Sequence, residues 1–222
     1  MAIIKDWAFA LNKDLTSMAI PNGVTIIGND AFRLCLNLKT VIIPDSVVSI
    51  FGGAFAGCVN LNSIDIPDNV TSIGMGTFSG CDKLKAVKLP NGIKNLDICL
   101  FTNCISLKSV TIPDSVTSIG DSAFSGCTSL TSINIPDGVT SIGDDAFNGC
   151  TSLTSVTIPD SVTSIGSNAF ADCASLKSIT IPDSVKRIGM FAFSGAGLDS
   201  VVIPIGAALW CDMPLGVPFK RG

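Results

Sequence analysis

The chain has 222 residues, of which 47% are hydrophobic and 14% charged, with a net charge of −4. High hydrophobicity with low charge excludes a disordered chain. The acidic balance excludes the basic face that a nucleic acid requires, and no apolar run approaches the ~18 residues of a membrane span.

The main signal is a clock. Phenylalanines recur every 23 residues from Phe9 to Phe193, prolines from Pro21 to Pro182, and cysteines from Cys35 to Cys173. Three residue types in one register mean a solenoid, with one small unit per repeat stacked on its neighbours. In chain order, the first residues lack the apolar core of a signal peptide. They are already in phase, with Ile4 in the column of Ile27 and Phe9 in that of Phe32. The chain thus starts mid-repeat without a cap. That reads as a piece of a longer protein, or as an edge covered by something else.

Full units begin at Pro21, Pro44, Pro67, Pro90, Pro113, Pro136, Pro159 and Pro182. The unit from Pro113 to Ile135 shows the pattern, with Val116, Ile119, Phe124, Cys127, Leu130, Ile133 and Ile135 as the expected core. Ser132-Ile133-Asn134-Ile135 alternates polar and β-branched residues, as a short half-buried strand does. The next proline ends it, having no N–H for a ladder. Pro-Asp-Ser is a turn signal. Val116 to Ile119 reads as a second extended piece. Gly120 then turns the chain, and Asp121-Ser122 is expected to cap one helical turn through Ala123 and Phe124. Strands one repeat apart stack in parallel at ~4.8 Å, through right-handed connections.

Some units depart from the pattern. Phe51 replaces glycine in the Pro44 unit. The Pro90 unit has Asp97, Leu100 and Asn103 where glycine, alanine and glycine are usual, so its turn is expected to be irregular. The last unit loses a residue near Gly197 and has Ala196 in the cysteine column. Residues 1–204 are expected to make eight to nine coils, and residues 205–222 a C-terminal capping tail. Leu209, Trp210, Leu215, Val217 and Phe219 are too apolar for a loose end.

The stretch C-T-S-L-T-S-I-N-I-P-D-G-V-T-S-I-G-D-D-A-F, from Cys127 to Phe147, strongly resembles the leucine-rich repeat, and within it the bacterial BspA-like, or Treponema-type, subclass. The resemblance covers residues 1 to about 204. It implies a curved leucine-rich-repeat solenoid with a parallel sheet on the concave face and short strands or helical turns on the convex face. It also implies a surface-exposed binding or adhesion protein, and it brings no catalytic residues.

Other constellations invite chemistry. Seven ladder cysteines have parallel Cβ vectors, which a disulfide does not accept. No histidine and no C-x-x-C pair exist, so zinc lacks its usual spacing. The ladder thiols read as small buried hydrophobes with a weak donor, while Cys99 and Cys211 fall outside the ladder and are better candidates for reactive thiols. The post-proline aspartates (Asp45, Asp68, Asp114, Asp137, Asp160, Asp183) suit turn chemistry better than calcium, which gathers ligands within one loop. Without histidine no Ser–His or Cys–His nucleophile pair can form. No enzyme, cofactor or metal site is expected.

The main exposed feature is two polar files on the concave face. Ser109, Ser132, Ser155 and Ser178 form one, and Thr111, Asn134, Thr157 and Thr180 the other, bordered by Lys85, Lys108 and Lys177. A flat array of this kind suits a protein or glycan ligand, of a host or a cell surface. The alternative is a structural spacer or self-assembling scaffold element. Its contacts would be weak, through the uncapped N-terminal coil or an apolar group on the convex side (Trp7, Phe51, Met75, Ile98, Phe191). The family resemblance points to a cell-surface or secreted location. Unpaired thiols and the missing signal point instead to a cytoplasmic one.

Overall fold

The computed structural model describes residues 2–209 and 218–222, which hold short strands and no helix. All strand pairs are parallel, and from Ser17 to Arg187 partners lie 23 residues apart. The strands fall into two ribbons, one before and one after the proline of each unit. The pre-proline ribbon pairs Ser17–Ala19 with Thr40–Ile42, Ser63–Asp65 with Ala86–Lys88, and Ser132–Asn134 with Ser155–Thr157. The post-proline ribbon is more continuous. It has four strands from Ala2–Ile4 to Ser72–Ile73, and six from Asn95–Leu96 to Ala208–Leu209.

The residue pattern explains both ribbons. In Ser132–Asn134 the outer residues face solvent and Ile133 faces inward. The Pro113 carbonyl accepts from Val116 N at 3.0 Å, closing a turn that recurs in most units. All seven core residues expected from the Pro113 unit are buried. Between the ribbons the phenylalanines stack from Phe9 to Phe193, with centroids 5.0–5.9 Å apart and ring planes 2–19° from parallel. Spacing of this order is an offset stack, favourable beyond simple burial.

The third side of the coil differs from expectation. The helical turn expected at Ala123 and Phe124 is a run of overlapping turns. Ala123 N bonds Gly120 O, Ser125 N bonds Ser122 O, and Cys127 N bonds Phe124 O. Ser122 and Gly126 have φ of 55° and 72°, in the left-handed region that a right-handed helix excludes. The alternation turns every second amide toward the following coil: Ser122, Phe124 and Gly126 donate to Asp144, Ala146 and Asn148 at 2.8 Å. This third ladder runs along the stack without regular strands.

Glycine fills most of the column beside it in the full units, with Phe51 and Asp97 the exceptions. A Cβ on Gly166 would lie 2.5 Å from the backbone of Gly143 and Asp144 in the preceding coil, closer than Cβ atoms approach. The turn of the Pro90 unit, expected to be irregular, is regular: Cys99 and Asn103 keep left-handed φ of 57° and 59°, and Cys99, Phe101 and Asn103 donate their amides to the following coil at 2.7–2.9 Å. The disturbance lies in the ribbon before it. The post-proline ribbon breaks between Ser72–Ile73 and Asn95–Leu96, Ile98 N turns to the Asp97 side chain at 2.8 Å, and the Phe101–Phe124 pair shows the 19° tilt. Thr77, in the alanine column, is buried but satisfied, its hydroxyl donating to Gly74 O at 2.6 Å.

In the last unit Gly197 N reaches Cys173 O at 3.1 Å, which absorbs the missing residue. Beyond it, Ala208–Leu209 pairs with Arg187–Ile188, and Phe219–Arg221 pairs with Val201–Ile203, adding a strand to each ribbon. Phe219 is 43% exposed. Trp210, Leu215, Val217, Cys211 and the side chain of Leu209 lie outside the described residues.

Phe124 touches a ring on either side, Phe101 and Phe147. Phe124→Ala is expected to lower the unfolding free energy by about 3–5 kcal/mol in urea denaturation. The exposed control Ser132→Ala should change it by less than about 0.5 kcal/mol. Equal losses in the two variants would contradict the stacked core.

Candidate binding face

The eight polar residues expected to make a face are all exposed. The pre-proline strands set Ser132 beside Ser155 and Asn134 beside Thr157 in register. Ser109 and Thr111 stand outside any strand, but Thr131 N bonds Lys108 O at 3.2 Å and holds their coil against the next. Ser178 and Thr180 are also outside strands. They share with Ser155, Thr157, Asp160 and Asp183 a shallow hollow of about 520 Å³. The structure thus brings all eight into two adjoining files, with hydrogen-bonded strands only in the middle two coils. Among the described residues none of these side chains is held by a protein hydrogen bond.

The face changes character toward the N-terminus. The same outward column carries Ile42, Asp65 and Lys88 in place of hydroxyls, and Ile42 is 67% exposed. Lys88 pairs with Asp68 across 3.5 Å. The 23-residue clock places these residues on the face, but a search for a Ser/Thr stripe passes over them. It passes over the post-proline ribbon too. There Thr117, Thr140 and Thr163 donate their hydroxyls to the preceding coil's backbone at 3.1–3.3 Å. Ser141, Ser164 and Arg187 line a hollow of about 350 Å³ with Asp121 and Asp144.

The apolar group on the turn side divides. Trp7, Phe51, Met75 and Ile98 sit on the N-terminal coils, with Trp7 55% and Met75 56% exposed. Arg33 lies 5.7 Å over the Trp7 ring and bonds Asp30 at 3.1 Å. Phe191 is four coils from Ile98 and stands apart. Cys99 is half-buried and borders a hollow of about 410 Å³ with Met75 and Arg33.

The ladder cysteines are buried, and each donates its S–H to the carbonyl of a phenylalanine 26 residues earlier, at 3.0–3.2 Å. Burial pushes the thiols of Cys58, Cys127 and Cys173 up from 9.0 to about 12, and the others upward as well. A neutral thiol away from water is a poor nucleophile. Among the described residues no three His, Cys, Asp or Glu side chains gather as metal ligands, and no helix is long and apolar enough to cross a membrane.

The raised pKa values carry a pH dependence. Unfolded, these thiols ionise near 9.0, while in the fold Cys127 stays protonated to about 12. Between those values the unfolded chain binds fewer protons, so stability is complete below pH 9 and falls above it. Melting temperature should decline from pH 9 to 11, and less steeply in Cys127→Ala. Identical slopes would show that the thiol is not the titrating group.

The family model described as a BspA type leucine rich repeat region matches the chain in six copies, over residues 2–127 and 95–209. Three solved structures are similar. A leucine-rich repeat protein from Eubacterium ventriosum is 31% identical, with a TM-score of 0.65, over 70% of this chain and 42% of that one. A leucine rich cell surface protein from Faecalibacterium prausnitzii is 30% identical, with a TM-score of 0.58, over 98% and 63%. A leucine rich repeat protein of Treponema pallidum is 28% identical, with a TM-score of 0.63, over 80% and 72%. The chain spans less than two thirds of the first two. No curated protein matches it.

Proposed function

The chain belongs to the BspA-type leucine-rich repeat family, and on that premise we propose that it is a non-catalytic binding module that holds a protein or glycan on its Ser/Thr face. The observation that carries this reading is the pair of files from Ser109 to Thr180, exposed and free of internal hydrogen bonds among the described residues. Hydroxyls and amides donate and accept, and side chains already set in order by a rigid backbone lose little entropy on binding. The module serves as the recognition or adhesion part of a larger protein at the cell surface or outside the cell. The similarity to the Faecalibacterium prausnitzii cell surface protein supports that location. Ladder thiols that are buried and bonded to carbonyls are compatible with an oxidising exterior.

A second reading, assembly between copies, is favoured by the exposed Trp7 and Met75 on the N-terminal coils. Light scattering over a concentration series separates the two, since self-association that disappears in Trp7→Ser supports assembly. The binding reading is tested by pull-down against extracellular matrix proteins and by a glycan array. The variant carrying Thr111→Lys, Asn134→Lys and Thr157→Lys together should lose at least about tenfold in affinity for any captured ligand. A ligand held equally by wild type and variant would overturn the assignment of this face.

A further inference from the structure

Three asparagines precede glycine in this chain: Asn22–Gly23, Asn91–Gly92 and Asn148–Gly149. Glycine has no Cβ to shield its amide nitrogen, so that nitrogen can approach the carbonyl carbon of the preceding side chain. The coils hold the three pairs differently. Asn148 Nδ2 donates to Asp145 Oδ1 at 2.7 Å, and Gly149 N donates to Ala171 O at 2.9 Å, so both reacting groups are held. Gly23 has a φ of 92°, and its N–H donates to Ser46 Oγ at 3.0 Å.

Gly92 is the exception. Its φ lies outside the left-handed region, and among the described residues nothing accepts from its N–H. Ser115, which stands where Ser46 does, donates to Ile93 O at 2.6 Å just as Ser46 donates to Val24 O at 2.8 Å, but it accepts nothing from Gly92. Asn91 is exposed, and its Nδ2 is held by one bond of 3.2 Å to Asp68, an exposed carboxylate that also faces Lys88.

We propose that Asn91 is a site of spontaneous deamidation, with water as the co-reactant. The Gly92 nitrogen attacks Asn91 Cγ. The N–Cγ bond forms, the Cγ–Nδ2 bond breaks, and ammonia leaves with the proton shed by the backbone nitrogen. Water then opens the five-membered imide at either carbonyl, leaving aspartate or isoaspartate, and no electrons are transferred. The aspartate product fills the gap in the post-proline ladder between Asp68 and Asp114. It replaces a bond to Asp68 with a facing carboxylate. The isoaspartate product adds a methylene to the main chain at the turn leading into the irregular coil. Either product adds negative charge beside the N-terminal end of the Ser/Thr face.

The test is ageing of the folded full chain in neutral buffer at physiological temperature, followed by peptide mapping for a gain of one mass unit and for isoaspartate. An amide nitrogen in a hydrogen bond reacts only when the bond opens, so Asn91 should convert roughly fivefold faster than Asn22, with Asn148 slower still. In urea the three rates should converge. Gly92→Ala should suppress conversion at Asn91 and leave Asn22 unchanged. The added Cβ meets nothing closer than 3.6 Å, so the variant folds. Equal rates in the folded chain, the same ranking in urea, or an unchanged rate in Gly92→Ala would each overturn the proposal.

Discussion

The close approach of each coil's backbone to that of the coil before it governs the rest of the structure. At the turn side there is no room for a Cβ on Gly166 against Gly143 and Asp144. That spacing lets Phe124 N reach Ala146 O at 2.8 Å, and it sets the phenylalanine rings within stacking distance. Ribbons, turn ladder and ring stack all repeat at one step, so each supports the others. A break on one side is bridged by the other two, as at the Pro90 unit, where the turn ladder and ring stack run on past the divided ribbon. Stability is therefore a sum over neighbouring coils, and a local fault stays local.

The break in the post-proline ribbon supports this. Asp97 replaces a glycine of that column, and the post-proline ribbon divides just before it. The stack of rings tilts there by 19° but continues. The surface chemistry divides near the same place. Ile42, Asp65 and Lys88 occupy the outward column before it, and Thr111, Asn134, Thr157 and Thr180 after it. The exposed Trp7, Phe51 and Met75 belong to the first segment, Ile98 stands just past the division, and the hydroxyl files belong to the second segment. One scaffold thus presents two surfaces.

Most of the fold was legible from the repeat, because each buried column is chemically uniform. Phe, Cys, Leu, Ile and Val have to pack the same way in every coil, so the clock exposes them. The turn side was less legible. Gly57, Gly80, Gly126, Gly149 and Gly195 mark one left-handed column, yet Leu11, Leu34, Asn103 and Asp172 share it. The other left-handed column holds Trp7, Asp30, Cys99, Ser122, Asp145, Asn168 and Phe191, with glycine only at Gly53 and Gly76. Bonds to the next coil impose a conformation these residues do not choose, so local preference suggested a helical turn. The candidate face was legible as files of hydroxyls. Its hollow at Ser178 and Thr180, and the better-paired ribbon on the post-proline side, depend on how coils settle against each other, which no single repeat reveals.

Urea denaturation of two alanine variants tests the close approach most directly. Gly166→Ala places a methyl against fixed backbone, and Gly92→Ala places one where the nearest atom is 3.6 Å away. The account predicts a loss of at least about 2 kcal/mol for Gly166→Ala, as for an overpacked core site. It predicts a change within about 0.5 kcal/mol for Gly92→Ala. Equal effects of the two substitutions would contradict it.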